Sequence, residues 1–200
     1  MKPTEMLRQD HRQIERRLAA LSGLCDRLDA GQGVPVADLE DAVEFIRTFA
    51  DKKHHGKEED LLFPALAEAG LPREGGPVAV MLAEHEMGRQ FVRALAAAVP
   101  AYKGGDKSAT AAIVDNARGY ISLLTQHIYK EDNILFPMAD SALSPQKQEE
   151  LAAAFEKAGA LPESGRITAD GRLPGPSALV QGAGTADPVG TVGPLHPPKA

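Results

Sequence analysis

"HHGKEEDLLFP" at residues 54–64 and "HIYKEDNILFP" at 127–137 decide how this chain folds. Each sets a histidine four residues before a glutamate, follows the glutamate with a second acid, and closes on an apolar pair and Phe-Pro. Positions three and four apart share a helix face. Both stretches therefore put His and Glu on the side that also carries apolar residues. A second pair of phrases repeats as well: "DHRQIERRLAAL" at 10–21 and "EHEMGRQFVRAL" at 84–95 share an acidic-His start and an Arg-containing apolar helix. His11 precedes His54 by 43 positions and His85 precedes His127 by 42. The chain reads as a duplicated helix hairpin with one histidine on each helix.

Working outward, Gly/Pro punctuation separates long helical runs. A first helix is expected from Thr4 to Asp29, ending at "AGQG". A second runs from Pro35, a favoured first-turn residue, to the Phe-Pro at 63–64. A short "ALAEAG" segment follows. A third helix opens at "GGPVAV" and runs to Val99, where "PAYKGGD" breaks the chain, and a fourth runs from about Lys107 to Phe136. Ser144-Pro145 has the look of an N-cap and first turn for a short fifth helix ending near Gly159. Almost nothing reads as strand. The fold class expected is all-α, an antiparallel up-down four-helix bundle with a short extra C-terminal helix. Residues 1–158 form the expected domain. The rest, 159–200, is Gly/Pro-rich, lacks aromatics and is expected to be a disordered tail. His196, inside it, is expected to be solvated.

The 200 residues hold 43% apolar and 25% charged side chains, ordinary for a globular chain. A formal charge of −6 argues against a nucleic-acid partner. No run approaches the roughly 18 apolar residues of a spanning helix, and the N-terminal residues lack an apolar signal core. The single cysteine, Cys25, cannot form an intrachain disulfide and is expected to be a small buried apolar residue. These features point to a cytoplasmic protein without a membrane or nucleic-acid partner.

Helical phase then sorts the polar residues. Leu7, His11, Ile14, Leu18, Leu21 and Cys25 form one stripe, with Glu15 one turn beyond His11. Val43, Ile46, Ala50, His54, Glu58, Leu61 and Leu62 line up on the second helix, which turns His55 and Glu59 towards solvent. Val78, Met81, Leu82, His85 and Val92 share a face of the third. Ile113, Tyr120, Leu124, His127, Glu131, Ile134 and Leu135 share one of the fourth, with Asp132 about 100° away. One histidine on an apolar stripe is ordinarily a hydrogen-bonded core residue. Four histidines and two or three carboxylates in one core are different, because buried acids take up protons or need compensating positive charge. A metal cation supplies that charge and accepts imidazole lone pairs. Iron, zinc, copper and manganese all suit such ligands. Six or seven ligands exceed the four of a structural zinc and fit two ions about 3.5–4 Å apart, with Glu58 and Glu131 as bridges. The order His-x-x-x-Glu differs from the Glu-x-x-His of ferritin-like proteins.

In this order, "DHRQIE", "HHGKEED", "EHEMGR" and "HIYKED" resemble the hemerythrin-like HHE cation-binding domain family over about residues 4–140. The resemblance implies an up-down four-helix bundle and a non-haem centre of two iron ions with oxo or hydroxo and carboxylate bridges. It makes His11, His54, His85 and His127 metal ligands and Glu58 and Glu131 bridges. The oxygen-carrying members place two histidines one turn apart on the third helix, whereas Met81 and Arg89 flank His85 here. Their final acid falls five residues after the last histidine, which would select Asp132; another branch uses Glu at four, as Glu131. Glu15 is the expected substitute for the missing histidine, and His55 would serve only if its helix were distorted. The pattern is closer to members linked to iron, peroxide or nitric oxide than to the carriers.

Three functions follow as expectations. The first is a di-iron protein that senses or handles O2, reactive oxygen or nitrogen species, or iron, with a small diatomic or peroxide ligand. The second is an enzyme that decomposes peroxide or reduces nitric oxide, with Tyr120 as a proton or hydrogen-bond donor. The third is a metal-free or zinc-filled helical interaction module.

Overall fold

The computed structural model of the chain describes residues 1–159, and among them every regular element is helical. Pro3 lies in the first turn of α1 (Pro3–Asp29), where its missing N–H costs nothing. Glu5 reaches back to accept the Lys2 backbone N–H at 3.1 Å. The helix stops where Gly31 takes φ 71°, and the Gln32 N–H closes the end on the Arg27 carbonyl at 2.9 Å.

The second rod starts at α2 (Val36–Phe45), immediately after Pro35. It widens into π-helical turns over Ile46–His55 and Glu58–Leu62, then returns to α geometry in α3 (Phe63–Glu68). The third rod, α4 (Gly76–Lys103), carries Pro100 inside it. It therefore runs past the Val99 end expected from sequence, and the Gly104-Gly105 pair, with Gly105 at φ 86°, stops it. The fourth rod is α5 (Ser108–Lys130), a π-helical turn at Glu131–Leu135, and α6 (Phe136–Ala142). Finally α7 (Pro145–Gly159) begins at Ser144, whose Oγ accepts the Lys147 N–H at 3.2 Å.

The first and third rods each pack against the second and the fourth, so the rods enclose a common interior. At one end, the two Phe-Pro phrases bring Phe63 and Phe136 into a core with Leu7, Leu62, Leu66, Met81 and Leu135. Leu151 and Phe155 of α7 complete that core, so the extra helix seals this end. Cys25 is fully buried and its thiol is pushed up by burial, as a small apolar core residue should be. No described helix is long and apolar enough to cross a membrane. The Gly/Pro-rich segment with His196 falls outside the described residues, apart from Gly159, the last residue of α7.

Phe155 has no exposed surface. Phe155→Ala should therefore cost about 3–5 kcal/mol, read as an earlier urea midpoint. A loss below about 1 kcal/mol would show that α7 is an appendage rather than part of the core.

Candidate metal centre

The polar groups gather where the second and fourth rods widen. An α-helix advances 100° per residue, so the fourth residue after a histidine lies about 40° past it. On the fourth rod that step is an ordinary α turn, with the Glu131 N–H on the His127 carbonyl, and the wider i→i+5 turns begin only at Glu131. In the second rod such turns hold two consecutive residues, His54 and His55, on the inner side, 1% and 4% exposed. Glu58 and Glu131 stand at the start of their π-helical turns, and both are fully buried.

Two groups of ligand atoms result, each drawn within 4.8 Å: His11, His54, Glu58 and Glu131, and His55, Glu58, His85 and His127. The carboxylates span them. Glu58 Oε1 stands 3.6 Å from His54 Nε2 and its Oε2 stands 3.5 Å from His85 Nε2. Glu131 mirrors this, with Oε2 3.1 Å from His11 Nε2 and Oε1 3.3 Å from His127 Nε2. The imidazoles meet tip to tip, His11 and His54 at 3.0 Å and His85 and His127 at 3.1 Å between Nε2 atoms. None of the four Glu58 and Glu131 oxygens finds an aligned hydrogen-bond donor, short as the contacts are. Such spacing suits atoms facing a common ion: two ligand atoms each about 2.1 Å from a metal and at a right angle stand about 3 Å apart.

The far nitrogens are held by carboxylates. The Nδ1–H groups of His11, His85 and His127 donate to Asp132, Glu59 and Glu84 at 2.8, 2.7 and 2.9 Å. Asp10 lies 3.5 Å from His54 Nδ1, and Asp51 the same distance from His55 Nδ1. Cations brace these acids in turn: Lys57 on Asp10 at 2.7 Å, Lys130 on Glu84, Arg8 and Arg12 on Asp132, and Arg89 on both Glu59 and Asp51. A carboxylate at Nδ1 fixes the ring and turns the Nε2 lone pair inward, the arrangement that metal-bound histidines use.

Charge is unevenly shared among the protein groups alone. Burial, and then Glu131 nearby, holds Glu58 well above the usual carboxylate range. Burial also opposes charge on Glu131, but His127 and His11 outweigh it and keep that carboxyl well below its usual range. His127 is pushed up to about 9, because Glu131 and Glu84 overcome the burial that opposes its charge, while burial takes His54 down to about 4. Burial thus disfavours charge on Glu58, and the charge on Glu131 leans on the imidazoles beside it. Bound cations would balance both carboxylates at once, so these residues fit a metal pair.

Of the seven ligands expected from sequence, the structure brings together His11, His54, Glu58, His85, His127 and Glu131. Glu15 is a correction. It is exposed and pairs with Arg12 at 3.1 Å, because on the regular α1 it lies about 40° past His11, off the buried stripe that continues through Ile14 and Leu18. His55 is the second correction. It is buried in the cluster rather than turned to solvent, because its helix is distorted. Ile134 is half exposed, displaced by the turn at Glu131–Leu135. Asp132 supports His11 through Nδ1. Sequence reasoning missed the outer acids Asp10, Glu84 and Glu59, although the repeated acidic-His and Glu-acidic pairs were their signal.

A pocket reaches this centre among the described residues. Its cavity of about 140 Å3 has His55, His85 and Tyr120 at its buried floor and Arg47 and Arg93 at its exposed rim. Asp51, Gly88 and Arg89 also line it.

Comparison with known proteins agrees with this geometry. An uncharacterized protein of Mycobacterium tuberculosis and one of Mycobacterium bovis are each 27% identical over 152 residues, 76% of this chain and 59% of theirs. The iron-sulfur cluster repair protein YtfE of Yersinia pestis is 34% identical over 90 residues, 44% of this chain and 40% of that protein. The chain thus spans about three fifths of the mycobacterial proteins' length. Residues 2–139, which include every histidine and carboxylate of the centre, match the hemerythrin HHE cation-binding domain, and the chain belongs to that family.

Proposed function

We propose that residues 1–158 form an antiparallel up-down four-helix domain that binds two iron ions and uses them to sense or handle O2, reactive oxygen or nitrogen species, or iron itself. One observation carries the reading. Glu58 and Glu131 are fully buried without an aligned donor, and each directs one oxygen to either histidine group. Burying bare carboxylates costs several kcal/mol apiece. Two cations held by His11, His54, His55, His85 and His127, with both glutamates bridging, would remove that cost. The name of the Yersinia relative, an iron-sulfur cluster repair protein, makes iron the first metal to test.

An iron pair supplies one- and two-electron redox chemistry and open positions for small ligands. The chain's own residues do the rest. Asp132, Glu59 and Glu84 orient the imidazoles; Phe63 and Phe136 lie against His85 and His11 and help exclude water. The pocket at His55 favours, as a second reading, turnover of peroxide or nitric oxide. Oxygen evolution from peroxide no faster than with free iron would remove the peroxide branch.

Anaerobic addition of ferrous iron, followed by air, should load about two iron per chain and give absorption bands of a coupled diferric pair. Glu58→Ala and Glu131→Ala should each lose most of that iron. Uptake equal to a His54→Ala, His127→Ala double variant, or zinc alone in protein purified without chelator, would overturn the reading.

The outer acids give a graded check. Glu84→Ala and Asp132→Ala leave every proposed ligand in place, so iron affinity should fall about 10–100-fold rather than vanish. Competition with a chelator measures it, and unchanged affinity would mean that these acids do not orient the ligands.

A further inference from the structure

The two hairpins hold their histidines by the outer nitrogen with unequal firmness. Nδ1 of His11, His85 and His127 reaches a carboxylate at 2.8, 2.7 and 2.9 Å. His54 is different. It is 1% exposed, and its Nδ1 has no aligned acceptor although Asp10 lies 3.5 Å away. A buried polar group without a partner is rare and calls for a cause. The cause is Lys57, whose Nζ takes the same Asp10 oxygen, Oδ2, at 2.7 Å.

The repeat supplies the comparison. Lys57 and Asp10 correspond to Lys130 and Glu84. Glu84, one methylene longer, divides its oxygens: Oε1 accepts from Lys130, and Oε2 accepts from His127 Nδ1 at 2.9 Å. Asp10 puts one oxygen between both donors, and the lysine, bonded at 2.7 Å, holds it. Lys57 is also confined. It is 5% exposed, with Nζ 5.8 Å from the centre of the Phe155 ring in α7, whereas the Lys130 side chain is 31% exposed. His55 is the nearest parallel: its Nδ1 stands 3.5 Å from Asp51, whose Oδ1 accepts from Arg89 at 2.8 Å. But His55 belongs to a group with two firmly held histidines, His85 and His127, while His54 has one, His11, beside it.

We propose that Lys57 is a positioning residue of the metal centre: clamped between Asp10 and Phe155, it keeps Asp10 off His54, so the position held by His11 and His54 is the first to release its metal. The proposal rests on the metal-centre reading. A carboxylate at Nδ1 makes an imidazole a firmer ligand, and losing that support weakens metal binding about 10–100-fold. The weakness lies on the side where Phe155 covers Lys57. How α7 packs on that lysine therefore sets how firmly one of the two metals is held.

The full chain, loaded anaerobically with ferrous iron and mixed with excess chromogenic chelator, should lose its metal in two phases of equal size. Lys57→Met keeps an apolar stem against Phe155 and frees Asp10; Asp10→Glu gives the acid the reach of Glu84. Each should slow the faster phase about tenfold and leave the slower one in place, and either decides alone where the other does not fold. In the proton spectrum of the ferrous protein, one exchangeable Nδ1–H signal should move and the others stay, a pattern that general loosening of the core would not give. Lys57→Arg should keep the wild-type rates, as should Lys52→Met, which removes an exposed charge from the same rod. A single phase of iron loss in the wild type, or an unchanged fast phase in the folded variants, would overturn the proposal and leave the centre standing. Loss of fold in both Lys57→Met and Asp10→Glu would overturn it too, making the lysine structural. A wild-type chain that binds no iron would sink the metal-centre reading and this one with it.

Discussion

Two carboxylates without donors, in the middle of an apolar interior, constrain everything around them. A surface glutamate can be solvated for nothing, whereas Glu58 and Glu131 must be balanced by protons or cations brought to them. The surrounding imidazoles come from all four rods, and each carboxylate faces histidines of both groups. Moving any rod by a turn would leave a charge stranded. The centre therefore specifies the packing of the helices as much as the helices build the centre.

Outward from those carboxylates the charges alternate: imidazole, then the acids Asp10, Glu84, Glu59, Asp132 and Asp51, then Lys57, Lys130 and the arginines. Each layer satisfies the one inside it. The alternation explains how a chain with net charge −6 tolerates so many acids close together. It also distinguishes the site from an isolated buried ion pair, whose desolvation often outweighs its attraction. Lys57 shows how far the layering extends, since it is itself buried and lies over the ring of Phe155 from α7.

The duplicated phrases made the helical rods and six of the expected ligands legible, because regular spacing on an apolar stripe has one sensible reading. The matching Phe-Pro ends also indicated where the core would close. What failed was helical phase. Counting 100° per residue is valid only while the hydrogen bonds stay i→i+4, and no composition signal marked where they would widen. His55 turned inward for that reason, on a stretched helix, whereas Glu15, on a regular one, lies about 40° past His11, off the stripe through Ile14 and Leu18. The clue lay in the chemistry rather than the pattern. "HH" before "GKEE" leaves a second histidine that a regular helix would expose beside Asp51, and burying it requires the wider turn.

That wider turn is also where the two halves part company. The turn at Glu131–Leu135 covers only the five residues from the carboxylate onward, while the second rod is π-helical through the ten residues before Gly56 as well. Widened turns are less well packed than α-helix and persist where something compensates for them. On the fourth rod the turn follows Glu131, whose own N–H still bonds the His127 carbonyl in an α step, and it leads into the core at Phe136. The second rod gains from its longer π-helical run an inward His55 with the cavity in front of it. The fourth rod has Ile128 in that place, packed into the core. The hairpins are alike in the histidines and glutamates that they bring together and unlike in what surrounds them. The symmetry therefore belongs to how the buried carboxylates are held, and the asymmetry to the side that opens to solvent at His55.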